Sequence, residues 1–600
     1  TLLGFAFLVL SRLDHFSSSD DEATFVFAAR SLQQGARLYD VVWFNYPPGF
    51  LQYLSTAFSL SGFSLFTARI AVFISSVLTL AAIMASGHLL YSTWSGAFAV
   101  ILVATAPHFL SLAGAAMAEV PASGLSILLV LAALHYYRSG KRGWLVLSSL
   151  AFAASLWFKP TTLPVGIVPL VAVWLREPTW RRRIGSICLY GLLTGLFFLA
   201  GLLPYGALGF SHKFLSTYSQ SKNVFELDSL ENWQQLHDYF WRDKYGLSHL
   251  SLLALGGYGG YRLWRRCRAE AGLLITWLVG VFLALLFHTP LYRHHLIQLL
   301  FPIALMAGGG LTGAFISLRK RRGARLVLLC LLLMVTVAEL ACSLWVDVVT
   351  LPEYESDYVA VGRQAVEQIK ATTEPGEYVI TDGLAIPLWA NRPVPPELTN
   401  VSRMRIKTGG LTDQQLIDIA RRVKPGAIIF WEKKLDSLDD FVVWVACHYD
   451  LALRFSKRHR IYQPMDAAAS PVDMHRLDVD FDPGIRLLGY SLEVDSIAVG
   501  NPVEVALHWE ALSHIEDSYT VFVHLVDAKG DIIGQDDSIP RCGNCPTSVW
   551  PPGELIVDVH RFSVARLGAG GPYRLLVGLY DLSTGERSAP NQVILVESIR

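Results

Sequence analysis

The sequence predicts a polytopic α-helical membrane protein with about eleven spans, followed by a small α/β domain and a C-terminal antiparallel β-sandwich. Three observations support this architecture. Hydrophobic residues make up 52% of the 600 residues and charged residues only 17%, against about a quarter in soluble proteins. The apolar excess is concentrated before residue 350. After residue 483 the pattern changes to strict apolar–polar alternation, which is typical of strands.

The membrane-spanning helices are predicted from apolar stretches of about 20 residues. Residues 1–13 indicate the remainder of a further span, because the chain begins at Thr1 within an apolar run. Shorter candidates are 143–158, 162–175 and 247–261. The clear spans are 66–91, 94–112, 117–137, 184–208, 269–287, 292–316 and 326–346.

The basic residues between the spans predict the topology. Four short loops, near residues 140, 180, 265 and 321, carry sixteen Lys and Arg residues, whereas the longer alternate loops carry eight. The positive-inside rule places the basic loops in the cytoplasm. The long loops and everything after residue 347 are then expected outside, at the plasma membrane of a prokaryotic cell. Fifty basic and fifty acidic residues cancel overall, so no global basic field favours nucleic acid.

The predicted domains are a transmembrane domain at 1–348, an extracytoplasmic α/β domain at 349–466, a linker at 467–482 and the β-sandwich at 483–600. Alternating helix and strand patterns predict the α/β domain, which lacks a glycine-rich nucleotide motif. In the last domain, Val503, Val505, Leu507 and Trp509 recur at every second position, which predicts one strand of the sandwich.

Cys542 and Cys545 form a CxxC pair in the predicted sandwich. Such a pair is compatible with half a zinc site, a redox pair or a small-loop disulfide. The sequence contains no second CxxC pair or paired histidines near it, which argues against a four-ligand zinc site. Because the domain is expected in an oxidising compartment, we predict a local, structural disulfide between the two cysteines.

The first outward loop contains the acidic run Asp20-Asp21-Glu22, directly before an amphipathic helix. Carboxylates at a helix start suit the helix dipole, so an acidic cap is one interpretation and a catalytic cluster is the other. Farther along the same loop, Tyr46, Pro47 and Pro48 predict a rigid turn where the chain re-enters the membrane.

Three further charged residues lie at outer span ends, where ionisable groups are costly unless they are paired or hydrated. Glu119 is flanked by two apolar helices, which favours a functional role. Lys159 and Arg293 are scarce outward cations placed to contact an anionic headgroup, although snorkelling is an equal alternative for Lys159. His294 and His295 are compatible with metal ligands, but adjacent histidines diverge on an α-helix, which favours interfacial polar residues.

Together these motifs resemble one enzyme class. The run from Ala29-Arg30 to Tyr39, the Tyr46-Pro47-Pro48-Gly49 turn, Lys159-Pro160 and Tyr292-Arg293 with Pro302 are similar to the pattern of polytopic, lipid-linked glycosyltransferases of the GT-C class. This class includes protein O-mannosyltransferases and the aminoarabinose transferase of lipid A. The resemblance covers roughly residues 1–346. The stretch from Asn391 to Leu398 also resembles outward domains of some prokaryotic members.

The resemblance implies transfer of a sugar from a polyprenyl-phosphate donor to a glycan, lipid or protein acceptor on the outer face, with inversion. Asp21 matches the general base, Glu22 its orienting neighbour, and Glu119 a second acidic position that acts through a divalent metal such as Mg²⁺ or Mn²⁺ in some members. Lys159 and Arg293 are the candidates for the donor phosphate.

Two departures from the pattern concern the site itself. Asp20 precedes Asp21, which leaves the register of the base open by one residue. Tyr46 replaces the Lys that precedes the double proline in the lipid A transferase, so the phosphate contact must come from elsewhere.

Two other functional classes are weighed against this enzyme. A lipid transporter or flippase is expected to show two similar halves with broken helices, a pattern the sequence does not show. A surface anchor carrying a carbohydrate-binding sandwich does not explain outward carboxylates. Within the enzymes, an oligosaccharide ligase or polymerase with a diphosphate-linked donor remains the alternative.

Overall fold

A computed structural model describes residues 2–16, 20–205, 229–241, 250–288, 290–318, 324–345, 357–464, 474–494, 497–566 and 572–599. The chain divides into two compact units. The first contains Thr1–Gln368 and Leu384–Thr408, and the second contains Ile369–Gly383 and Gly409–Arg600. The predicted α/β region at 349–466 therefore contributes residues to both units.

The first unit is helical. The first ten helices that the structure describes are α1 Leu2–Leu10, α2 Asp20–Gln33, α3 Gly49–Ser61, α4 Leu65–Leu90, α5 Thr93–Ala104, α6 Pro107–Ala113, α7 Glu119–Ser139, α8 Arg142–Phe158, α9 Ile167–Arg176 and α10 Trp180–Ala200. They are followed by α11 Ser229–Trp241, α12 Leu250–Arg266, α13 Arg268–Leu286, α14 Ile297–Leu318, α15 Ala324–Trp345, α16 Asp357–Thr372, α17 Ala385–Ala390 and α18 Arg403–Lys407.

Several of these helices are long and apolar enough to cross a bilayer. Among the described residues five qualify by length and composition, and a bent pair makes a sixth. The bent pair is α5 and α6, which turn by 74° at a break before Pro107. Proline lacks the amide that would continue the helix. The prediction of an apolar stretch at 94–112 is confirmed, but the prediction that it forms one continuous helix is wrong. The qualifying helices are Leu65–Leu90, Glu119–Ser139, Trp180–Ala200, Arg268–Leu286 and Arg293–Ser317.

Small residues allow the helices to approach closely. A Cβ atom on Gly259 of α12 would lie 1.8 Å from the carbonyl oxygen of Met306 on α14. Only glycine fits this contact, as expected where membrane helices pack backbone to backbone. Elsewhere in the unit, Arg138 of α7 forms an ion pair with the buried Glu270 of α13 at 2.6 Å.

The second unit begins with a mixed four-stranded sheet. Its strands are β1 Val379–Thr381, β2 Ala427–Phe430, β3 Tyr449–Arg454 and β4 Arg460–Pro464, in the order β1-β2-β4-β3. β1 and β2 are parallel, and helix α19 Asp413–Val423 lies between them in sequence. Helix α20 Asp439–His448 precedes β3. Asp382, directly after β1, is 1% exposed and accepts four backbone amides from Trp431, Glu432, Lys434 and Leu435.

Two antiparallel four-stranded sheets complete the second unit. One has the order β10-β7-β6-β5 and the other β12-β11-β8-β9. Inward residues from both sheets, such as Trp509 of β7 and Val523 of β8, belong to one hydrophobic core. The strands are β5 His475–Phe481, β6 Ile485–Glu493, β7 Pro502–Ala511, β8 Tyr519–Val526, β9 Ile532–Ser538, β10 Leu555–Ser563, β11 Tyr573–Asp581 and β12 Val593–Ile599.

The predicted disulfide between Cys542 and Cys545 is wrong. Cys545 pairs instead with Cys447, which lies 98 residues earlier near the end of α20. Cys447 and Cys545 are 2% and 0% exposed in the same core, whereas Cys542 is an exposed free thiol. Cys545 pairs with the cysteine that lies next to it in the folded core, and the spacing of cysteines in the sequence does not identify that cysteine.

His560 on β10 predicts a pH-dependent stability of the second unit. Its ring is fully buried between Asp536 at 3.0 Å and Asp558 at 2.9 Å. Burial lowers the pKa of His560, but the two carboxylates outweigh it and raise the pKa to about 9. A raised folded-state pKa stabilises the fold fully below the unfolded value of about 6.5, and this stabilisation is lost as pH rises through about 9.

We therefore expect the unit to lose roughly 2 to 3 kcal/mol of unfolding free energy between pH 6.5 and pH 9.5. Pulse proteolysis in urea at both pH values measures this loss. His560→Gln should be less stable at pH 6.5 and should flatten the pH dependence. His524→Gln, which removes the more exposed pair with Asp537 on the adjacent strands, is the control. An unaltered pH dependence in His560→Gln would show that another group titrates.

Candidate functional site

The acidic run at the start of α2 places three adjacent carboxylates in three environments. Asp20 is half-buried and accepts the backbone amide of Ala385 at 3.3 Å. Asp21 is exposed. Glu22 is 2% exposed. The helical rotation of about 100° per residue separates their side chains, so only Asp21 combines exposure with a position on the first turn.

Glu22 is held by a buried arginine. Both of its carboxylate oxygens accept hydrogen bonds from Arg69 of α4, at 2.8 and 2.7 Å, and one oxygen also accepts the amide of Ala116 at 2.7 Å. Arg69 is 3% exposed. A bidentate pair with a further amide fixes the orientation of a carboxylate strongly. Glu22 therefore connects the start of α2 with α4 and with the short loop before α7.

Glu119 and Lys159 form a second buried ion pair. Glu119 begins α7 and Lys159 follows the last residue of α8, and each residue is 3% exposed. The ammonium group of Lys159 donates to Oε1 of Glu119 and lies 5.7 Å from the ring centre of Tyr46. Burial at this level argues against the snorkelling interpretation, in which the ammonium reaches water.

The Tyr-Pro-Pro-Gly turn is packed against the end of α8. Pro47 and Pro48 are buried, and α3 begins directly after them. A Cβ atom on Gly49 would lie 2.8 Å from the carbonyl oxygen of Trp157, two residues before Lys159. The hydroxyl of Tyr39 donates to the carbonyl of Tyr46 at 2.8 Å. The turn thus holds the ring of Tyr46 close to the Lys159 ammonium.

The histidines in the turn before α14 join this cluster. Arg293–Leu296 is a single turn of 3-10 helix rather than an α-helix. The rings of His294 and His295 lie 4.4 Å apart, and Nε2 of His294 is 3.3 Å from Oε1 of Glu119. The expectation that the adjacent histidines diverge is therefore wrong, because it assumed α-helical geometry.

Asp21 faces the same cluster. The Asp21 carboxylate interacts electrostatically with the Tyr292 phenol. Asp21 also interacts electrostatically with His294. Arg293, which lies between Tyr292 and His294 in the sequence, has an exposed side chain. Four parts of the helical unit thus converge: the start of α2, the turn before α3, the α7–α8 pair and the turn before α14.

Glu119, His294 and His295 also offer a plausible set of metal ligands. Their ligand atoms lie within 4.8 Å of one another. Oε2 of Glu119 is buried and, in the described part of the chain, has no hydrogen-bond partner, which leaves one lone pair available for a cation. Two imidazoles and one carboxylate suit a transition-metal ion better than Mg²⁺. The adjacent Lys159 ammonium repels a cation, so any binding must overcome this repulsion.

The structure therefore brings together Glu119, Lys159, Tyr46 and His294. Asp21 interacts electrostatically with His294, whereas Glu22 is held by Arg69. The sequence analysis does not include Arg69. A single cation within the apolar stretch 66–91 nevertheless indicates a paired or functional residue. Cys542 and Cys545 belong to the second unit and contribute nothing to this cluster.

Part of this site lies in a region that matches a known protein family. Residues 45–206, which include Tyr46, Glu119 and Lys159, match the family model described as dolichyl-phosphate-mannose-protein mannosyltransferase. A sequence search of curated proteins gave no significant match.

Among solved structures, the fold is similar to apo ArnT from Cupriavidus metallidurans, with a TM-score of 0.52 and 14% identity, covering 77% of this chain and 97% of ArnT. ArnT bound to undecaprenyl phosphate aligns with a TM-score of 0.47 and 15% identity, over 77% and 97% of the two chains. The oligosaccharyltransferase AglB from Archaeoglobus fulgidus, in complex with an inhibitory peptide and a dolichol-phosphate, aligns with a TM-score of 0.43 and 9% identity, over 96% and 95%.

Residues 45–206 thus match a glycosyltransferase family model, and the chain shares the fold of ArnT.

Proposed function

We propose that this protein is a membrane glycosyltransferase of the GT-C class, which moves a sugar from a polyprenyl-phosphate donor to a hydroxyl acceptor on the outer face of the plasma membrane, with inversion. The observation that carries the proposal is the exposed Asp21 carboxylate, which faces a cluster containing a buried lysine. Transfer needs a base for the attacking hydroxyl and positive charge for the departing phosphate. The match to a family named for a dolichyl-phosphate donor supports the same donor class.

Asp21 is the proposed general base. It is the exposed member of the acidic run, whereas both oxygens of Glu22 are occupied by Arg69. Glu22 accordingly acts as an orienting residue. The capping interpretation explains why carboxylates start the helix, but it does not explain why Asp21 faces Tyr292 and His294.

Lys159 and Arg293 are the proposed ligands of the donor phosphate. The ammonium group of Lys159 lies close to the ring of Tyr46. Tyr46 occupies the position at which the lipid A transferase pattern has a lysine. Lys159 therefore supplies, from a different segment, the positive charge that this lysine would provide. Arg293 has an exposed side chain beside the histidine pair. Guanidinium groups bind phosphate oxygens in a bidentate manner, which suits this position.

Glu119, with His294 and His295, would hold a divalent metal. Such an ion would supply positive charge near the phosphate. Without it, Glu119 holds Lys159 in place through their ion pair.

The direct test is transfer by the purified enzyme from radiolabelled polyprenyl-phosphate sugars and, in parallel, from polyprenyl-diphosphate sugars. Transfer from the monophosphate donor alone supports the proposal. Transfer only from the diphosphate donor would indicate a ligase or polymerase, and movement of intact lipid between leaflets without sugar transfer would indicate a flippase. The anomeric configuration of the product, determined by NMR, tests inversion.

We further propose about eleven spans, with the residues after 347 outside the cytoplasm and the two antiparallel sheets forming a sandwich. The positive-inside pattern of the loops supports this topology. Cys542 is an exposed free thiol in the second unit and therefore a native probe.

A membrane-impermeant maleimide is expected to label Cys542 in spheroplasts. The Cys542→Ser variant, in which only the free cysteines of the helical unit remain, provides the background. Labelling of Cys542 only after the membrane is permeabilised would reverse the topology.

A further inference from the structure

Arg69 does more than neutralise Glu22. Besides the two bonds to that carboxylate, its guanidinium donates to the backbone carbonyls of Leu13 at 2.6 Å and His15 at 3.0 Å. These carbonyls belong to the chain that precedes α2. One side chain of α4 thereby fixes the segment before the acidic run as well as the acidic run itself, which is the kind of multiple contact for which the planar guanidinium is suited.

The remaining face of this guanidinium is covered by Trp389. Its ring centre lies 5.3 Å from Cζ of Arg69, within cation–π range, and 5.3 Å from the ring of Phe16. Trp389 belongs to α17, in the segment Leu384–Thr408 that the second half of the chain contributes to the first unit. Leu388 of α17 shares a hydrophobic core with Phe27 of α2.

The segment 384–408 is itself fixed to the outward loop. The amide of Ala385, the first residue of α17, donates to Asp20. Arg405 is buried, donates to the carbonyls of Glu397 at 2.7 Å and Asn400 at 2.9 Å, and lies 5.4 Å over the ring of Trp43. The segment thus contacts the loop between α2 and α3 at one end and the acidic run at the other.

We infer that Arg69 and Trp389 are positioning residues for glycosyl transfer, which hold the first turn of α2 so that Asp21 is presented to the acceptor. This inference rests on the proposed role of Asp21. Asp20 is tied to α17 and Glu22 to Arg69, which leaves Asp21 as the exposed carboxylate of the run. A buried ion pair is weak evidence for added stability, whereas a reacting group that shifts by about 1 Å loses on the order of 100-fold in rate.

The test compares Arg69→Lys, Trp389→Ala and Trp389→Phe in the full-length enzyme. Lysine keeps the charge but cannot bond both Glu22 oxygens and two carbonyls at once. We expect the turnover number per bound donor to fall roughly 10- to 100-fold in Arg69→Lys and less in Trp389→Ala, with unchanged donor affinity and with recovery in Trp389→Phe. Because unfolded protein binds no donor, expressing turnover per bound donor excludes unfolded protein from the comparison.

Arg138→Lys is the matched control, because it perturbs an Arg–Glu ion pair of the same unit that lies on other helices, α7 and α13. Its turnover number per bound donor should stay at the wild-type value. Full turnover in both Arg69→Lys and Trp389→Ala, beside an inactive Asp21→Asn, would overturn the inference alone. If Asp21→Asn is active while Arg69→Lys is impaired, the proposed base is misassigned, and the inference that Arg69 positions Asp21 fails with it.

Discussion

Asp21→Asn is expected to abolish sugar transfer while the protein stays folded and binds the lipid donor. The amide has nearly the same shape as the carboxylate but cannot accept a proton from a sugar or protein hydroxyl. Loss of general-base assistance lowers the rate roughly 10²- to 10⁴-fold. Because Asp21 is exposed on the first turn of α2, its loss weakens the interaction with the helix dipole by only about 0.3 to 1 kcal/mol.

The measurement is single-turnover transfer at saturating donor, together with donor binding and thermal unfolding. Asp20→Asn is the matched control, since it changes the same charge one residue earlier, where the carboxylate accepts the Ala385 amide. An asparagine side chain retains an acceptor for that amide, so the effect should be milder. Loss of activity in Asp20→Asn with full activity in Asp21→Asn would shift the base by one residue. Full activity in both variants would leave only the helix-capping role.

Much of this site could be predicted from the sequence because membranes penalise charge. Glu119 and Lys159 were identified as isolated charges at the outer ends of apolar spans. Their pairing could not be predicted, because the two residues lie 40 positions apart and the sequence does not specify which span ends are neighbours. The same reasoning, applied inside the stretch 66–91, would have found Arg69.

Other features depended on local geometry that composition does not determine. The histidine pair converges on Glu119 because residues 293–296 form a 3-10 turn, and its shorter turn changes the angle between successive side chains. The segment Leu384–Thr408 was predicted within a separate α/β domain, yet it belongs to the helical unit. Its apolar residues, such as Leu384 and Leu388, pack on the acidic helix, and an apolar pattern alone does not reveal its partner.

Lys159→Ala is expected to weaken binding of the polyprenyl-phosphate donor roughly 30-fold or more, with little effect on acceptor affinity. Lys159 is 3% exposed, and its ammonium lies between Glu119 and the ring of Tyr46. A charge-assisted bond to phosphate is strong at such a site because little water competes for the ammonium. Donor titration with a non-transferable polyprenyl phosphate measures the affinity.

The alanine variant alone is ambiguous, because it also leaves the Glu119 carboxylate buried without its cation, at a cost of about 3 to 5 kcal/mol. The double variant Glu119→Gln/Lys159→Met removes both charges and resolves the ambiguity. If Lys159 binds the phosphate, the double variant regains stability but stays defective in donor binding. If Lys159 serves only as the partner of Glu119, the double variant regains both. Arg293→Ala leaves no buried charge behind, since Arg293 is exposed, and should weaken donor binding without loss of stability. Wild-type donor affinity in both the double variant and Arg293→Ala would remove these two cations from the phosphate site.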